Sequence, residues 1–389
     1  MVRSFTSRGN ATWSDNCILH EKGPILDPFC RIYLKEMHER CPEMFGTSVG
    51  IAYTLLLSLL CMGFALYETG YGVCETVFQS FYKRLTSFVV SLTAFTLVAT
   101  WTDILTVHNL PTLVLNLALL TVLTHIVTAI SKSMVYSCIM SAVVGGVIYP
   151  LLHNMMQQHG LISSTGFFDA AGSGVIHFVG AVIALSLSIY FSKVHSWKGL
   201  SIQSPALASL GFLCIWAAWG LFTLIISAPL LQEDPHAWIR GILNVSTAAA
   251  WGAAASVIFT WVMLGKARMK SCTIGGLAGL VIISASPFTL SFFDAMSFGI
   301  IAGVLAATAS YALHDFGLKD PCNVIAIHGP AGILSLILVP LVNDFATFSA
   351  QLHGMFILTV LSVVAAVIIC EVILITHGAV KFTKLKNLN

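Results

Sequence analysis

Two short segments carry the residues best suited to chemistry. One reads Asp169-Ala-Ala-Gly-Ser-Gly-Val-Ile-His177 and continues as FVGAVIALSL; the other reads Asp320-Pro-Cys-Asn-Val-Ile-Ala-Ile-His328 and continues as GPAGILSLIL. In each, an acid is followed after seven residues by a histidine, then by small and aliphatic residues. Imidazole offers a hydrogen-bond donor and an acceptor together and can relay a proton. An aspartate at a helix start caps free N–H groups and complements the helix dipole. A lone histidine in apolar surroundings is most simply a satisfied packing group, whereas two in matched settings point to a shared site. Two imidazoles are too few for a metal, and no Cys or carboxylate sits a helical turn from either, so no metal or other cofactor is expected.

The elements around these residues must be membrane helices. The chain of 389 residues is 57% hydrophobic and 9% charged, against about 25% charged residues in soluble domains. Its mean hydropathy is +0.88. Apolar runs fall at about 46–69, 84–104, 110–131, 134–152, 171–192, 205–231, 237–264, 271–290, 295–313, 322–343 and 350–377. Each is close to the ~20 residues that cross a hydrocarbon core, and none is the ~10-residue alternating strand of a barrel. The fold class is therefore all-α and polytopic with eleven transmembrane helices. The net charge of +2 gives no reason to expect a nucleic-acid partner.

The two Asp–His segments open the fifth and tenth spans. Five spans separate them, so they cross in opposite directions, the pattern of a five-plus-five inverted repeat. Eight residues of helix rise about 12 Å, which brings His177 and His328 to similar depth from opposite faces of a core about 30 Å thick. A histidine inside lipid is costly and marks function.

Basic residues set the expected orientation. Lys83, Arg84, Lys132, Lys193, Lys198, Lys266, Arg268, Lys270, Lys319, Lys381, Lys384 and Lys386 all follow odd-numbered spans, whereas Arg240 is the one basic residue of the alternate loops. This places the C-terminus in the cytoplasm and the N-terminus outside, in a multi-pass plasma-membrane protein. Three regions follow: an extracellular segment 1–45, a transmembrane domain 46–378 and a short cytoplasmic tail 379–389. The first segment lacks the apolar stretch of a secretory leader. It holds Asn10-Ala11-Thr12, a glycosylation acceptor, and Cys17, Cys30 and Cys41, which allow one disulfide with a thiol left over or pairing between subunits.

The remaining intramembrane polar groups are read more plainly. Glu68 in ALYETG anchors packing at the inner interface, and His125 is a packing group sooner than a pore group. Asp294 and Glu371 carry no assigned role. Gly275, Gly276 and Gly279 allow close helix contact, as do the small residues around both histidines. No Ser/His/Asp set, HExxH or pair of carboxylates at one depth is present, so an enzyme is not expected.

At residues 46 to 378 the chain resembles the ammonium transporter, methylammonium permease and Rhesus family. DAAGSGVIH resembles its span-five signature, and HDFGLKDPCNVIAIHGPAGI its span-ten signature; GGLAGLV and ALYETG are also similar. The resemblance implies a homotrimer with one hydrophobic pore per subunit, in which ammonium is recruited, loses a proton, and passes as ammonia between hydrogen-bonded histidines. Those histidines would be His177 and His328. Asp169 would be the acid below the recruitment site, structural or assisting deprotonation, and Asp320 its pseudo-symmetric counterpart. Trp219-Gly-Leu-Phe222 resembles an aromatic motif, which makes Phe222 a candidate gate and Trp219 and Ser227 candidate vestibule residues. The expected ligands are ammonium or ammonia, with methylammonium and carbon dioxide as further candidates, in a lipid surround.

The chain departs from the family in its aromatics. Residues 110–131 contain none, so a second gate phenylalanine is missing, and Met155 or Met156 stands where a recruiting tryptophan would be. Asn323 replaces a second acid. A cation–π cage is thereby weakened, which leaves two alternatives beside an ammonium transporter: a Rhesus-like gas channel, and a non-conducting sensor or accessory subunit.

Overall fold

The computed structural model describes residues 48–71, 76–101, 110–156, 160–194, 204–227, 230 and 234–386. The segment 1–45, with Asn10 and its three cysteines, lies outside the described residues.

The described chain is all helical and contains no strand. Helix α1 spans Ser48–Gly70, α2 Val77–Trp101, α3 Leu110–Thr128 and α4 Met134–Met156, the last with a π-helical turn at Val144–Ile148. Helix α5 opens with a π-helical turn, Ser173–Phe178, and continues as Val179–Val194. Then follow α6 Pro205–Ser227, α7 Ala237–Leu264, α8 Met269–Ile282, α9 Phe292–Asp315, α10 Val324–Val342 and α11 Phe348–Lys386. Among the described residues, nine helices are long and apolar enough to cross a membrane; α3 and α8 are apolar but shorter.

Three boundaries differ from the hydropathy reading, each for a physical reason. Helix α2 begins at Val77, so Lys83 and Arg84 lie inside it and not in a loop; both are buried, and an ion pair explains why they tolerate it. Helix α8 stops at Ile282 instead of running to 290, because its last carbonyls turn aside. The Val281 oxygen accepts from Ser173 Oγ (3.2 Å), Ser284 from the Ala171 amide (2.9 Å) and Ala285 from the Ala170 amide (3.0 Å). The Ser284 and Ala285 carbonyls thus find donors in the segment just before α5, whereas the Val281 oxygen also accepts the Ser284 amide at its own helix end (3.1 Å). Helix α11 continues to Lys386, through most of the stretch expected as a tail.

Small residues let α7, α8 and α9 pack backbone against backbone. A methyl group at Gly275 or Gly303 would meet the carbonyl oxygen of Gly252, and one at Gly279 or Gly299 that of Ala248; one at Gly276 would meet the Phe212 ring. In lipid, where no hydrophobic force drives helix pairing, this close approach supplies the dispersion that does. On the opposite side, Gln351 of α11 works as a clamp. Its Oε1 accepts from the Phe168 amide (2.8 Å), while its Nε2 donates to the carbonyls of Phe168 (2.9 Å) and Leu336 (3.3 Å).

Candidate pore site

The two Asp–His segments begin their helices in the same way. Asp169 accepts the amides of Ser173 (2.6 Å), Gly174 (2.8 Å) and Val175 (3.1 Å). Asp320 accepts the amide of Ala326 (2.8 Å) at the matching position. Three residues after each acid the backbone turns left-handed, at Gly172 (φ 85°) and at Asn323 (φ 56°). Among the described residues Asn323 is the one non-glycine with positive φ. Asparagine, like aspartate, is among the few side chains that tolerate this region. Asp169 thus spends both oxygens on its own helix start.

These starts deliver the histidines to one place. The rings of His177 and His328 lie 4.9 Å apart between centroids and within 6° of parallel. Both side chains are buried, and among the described residues neither Nδ1 has a hydrogen-bond partner. The expected hydrogen bond between the two is therefore not formed at these atoms. A buried imidazole with an unmet nitrogen retains hydrogen-bonding capacity that a small polar solute can satisfy.

The pair stands at the junction of two apolar cavities that follow one another along α1. Leu56, Leu60, Ala118, His177 and Phe222 help line the first; Phe64, Tyr67, His125 and His328 help line the second. Val122 and Trp219 line both. No Asp, Glu, Lys or Arg lines either cavity. An ion entering such a path loses its hydration with nothing to replace it, whereas a small neutral amine needs only a few partners.

The other sequence candidates separate on this geometry. Phe222 lines the first cavity, on the same side as His177. Trp219, expected at a vestibule, instead stacks on His177 with centroids 5.2 Å apart and a 23° tilt. Ser227 is buried, and its hydroxyl donates to the Leu224 carbonyl (2.7 Å); it is not among the lining residues. Opposite Phe222, α3 offers only Ala118, Leu119 and Val122, so the wall lacking a second aromatic is aliphatic. Asp294 caps its own helix through a reciprocal bond with Ser291.

His125 departs most from its sequence reading. It lines the second cavity together with His328 and stacks face to face on Phe64, with centroids 4.0 Å apart. The available signal was the polar stripe Thr121, Thr124, His125, Thr128 along one face of an otherwise apolar helix. Behind it Glu68 Oε1 accepts from Arg84 (2.6 Å) and Lys83 (3.4 Å) and lies 3.8 Å from His125 Nδ1. Among the described residues no group of three or more metal-ligating side chains occurs.

The chain is 28% identical over 357 residues to the ammonium transporter Amt2 of Archaeoglobus fulgidus, covering 79% of this chain and 75% of that one. It is 30% identical over 210 residues to the ammonium transporter Rh type B of Rattus norvegicus, covering 50% and 45%. Among solved structures, one titled Sensor Amt Protein superposes with a TM-score of 0.74 at 21% identity over 83% of this chain and 91% of that one. Rh50 of Nitrosomonas europaea gives 0.65 at 19% identity over 84% and 89%. Apart from the archaeal protein, the chain spans about half the length of the curated relatives it matches. The family model described as Ammonium Transporter Family matches residues 46–389, nearly the whole described chain, and the protein belongs to that family.

Proposed function

We propose that the protein moves ammonia, taken from ammonium, across the plasma membrane through the two cavities joined at His177 and His328. The observation that carries this reading is the parallel imidazole pair, buried and unmet at Nδ1, between apolar walls without a charged residue. Ammonium gives up its proton on the entry side, next to Phe222, and the proton stays in the water there. Ammonia then exchanges hydrogen bonds with the two rings in turn. Asp169 and Asp320 act as helix caps that aim the histidines. Phe222 narrows the first cavity, and Trp219 holds the plane of His177. The N-terminus faces outward, and a homotrimer in lipid is the assembly.

A second reading, a sensor of the same fold, is favoured by the aliphatic wall that α3 sets opposite Phe222. One experiment separates the two. The purified protein in liposomes receives an ammonium pulse while internal pH is followed. Conduction requires alkalinisation faster than in empty liposomes, falling roughly tenfold or more in His177→Ala and His328→Ala. Unchanged rates in both variants would remove the histidine roles, and a rate equal to that of empty liposomes would leave the sensor.

A further inference from the structure

The transport route so far uses none of the charge buried beside its second cavity. Glu68, Lys83 and Arg84 are 0%, 1% and 4% exposed. The carboxylate Oε1 is shared by both cations, and Arg84 also donates to Thr128 Oγ1 (2.9 Å). Two cations thus face one carboxylate, leaving the triad one positive charge in excess. Among the described residues Asp320 makes no ion pair with Lys83 or Arg84; its Oδ2 accepts the Ala326 amide and its Oδ1 has no hydrogen-bond partner. Salt screens buried charges far less than exposed ones, so the excess is felt over the short distance to the cavity wall. That wall is His125, whose Nδ1 is 3.8 Å from Glu68 and has no hydrogen-bond partner among the described residues. The first cavity has no such neighbour among its lining residues.

We propose that the Glu68–Lys83–Arg84 triad is a charge barrier for the second cavity, letting uncharged amine pass and turning back ammonium, or a proton relayed from His177 and His328. The triad is a positioning and selectivity device that acts through His125; it touches no solute. Buried cations of this kind are expensive to keep in a membrane protein. A purely structural ion pair needs one of them, not two.

This inference rests on the conduction reading, and the test keeps the two apart. In liposomes carrying the whole protein, current and internal alkalinisation are recorded together after an ammonium pulse. Wild type is expected to alkalinise without current. Lys83→Met, which leaves Glu68 and Arg84 balanced, should raise the ratio of current to alkalinisation by roughly tenfold or more, and Lys83→Arg should restore the wild-type ratio. Lys83→Gln serves if the methionine variant is not monodisperse in detergent. A wild-type current matching its ammonia flux would overturn the barrier and leave conduction standing, as would a Lys83→Met or Lys83→Gln ratio equal to wild type. Absence of any wild-type flux would overturn the conduction reading, and the barrier with it.

Discussion

The two halves of the molecule reach one geometry by different means. In the first half a carboxylate takes three amides, a glycine turns left-handed, and His177 rides on a π-helical turn in which its amide reaches back five residues to the Gly172 carbonyl (3.3 Å). In the second half the acid takes the Ala326 amide, an asparagine turns left-handed, and His328 sits on an α-helix. There Pro330 removes the amide that would have met the Ala326 carbonyl. A π turn and a proline loosen the helical ladder beside the histidine in equivalent places. What the repeat holds in common is a helix start, a ring position and one capping bond, from the acid to the amide six residues on; the other hydrogen bonds differ.

This asymmetry can be broken experimentally, beginning with its strongest element. Asp169→Ala leaves three buried amides unmet and should destabilise the protein by about 4 kcal/mol, against about 2 kcal/mol for Asp320→Ala. Thermal unfolding in detergent measures both, and equal losses would show that the second acid has partners as numerous as the first. At the left-handed residues the expected contrast is smaller. Gly172→Ala should cost about 1–2 kcal/mol, because a Cβ is disfavoured at that φ and would meet Ile176 Cγ1 at 2.9 Å. Asn323→Gly should lie within about 0.5 kcal/mol of wild type. If Asn323→Gly lost as much as Gly172→Ala, the Ser310 hydroxyl bond to Asn323 Oδ1 (2.8 Å) would be the reason asparagine is there. The weakest effect belongs to Pro330→Ala. The regained hydrogen bond and the greater freedom of the unfolded chain should cancel to within about 0.5 kcal/mol. Its melting midpoint should therefore match wild type, and a clear loss would mean the ladder stays open once the proline is gone.

Much of this was legible in the sequence. The eleven apolar runs, the two Asp–His spacings and the opposite crossing of their spans are local or counting properties, and they map directly onto helices and a ring pair. The early end of α8 is marked in the sequence only by Ser284, Ser286 and Pro287; that the carbonyls there meet a segment over a hundred residues away was not legible. Lys83 and Arg84 looked like loop cations because hydropathy reads each residue alone, whereas their burial depends on Glu68 in the preceding helix. The neighbours of Trp219 and His125 were not legible for a related reason. Spacing along a helix gives the face a residue occupies but not the neighbour it meets there. The Phe64–His125 and His177–Trp219 stacks are made between helices that sequence alone does not pair.

The Gln351 clamp has a consequence for biogenesis. It joins the loop ahead of His177 to α10 through a side chain that belongs to α11, which lies outside the repeat. Chains emerge from the ribosome N-terminus first, so the first ten helices are made before those backbone groups find their partner. That tie on the segment that aims the first histidine forms only when the final helix inserts, and a product truncated before residue 351 would lack it.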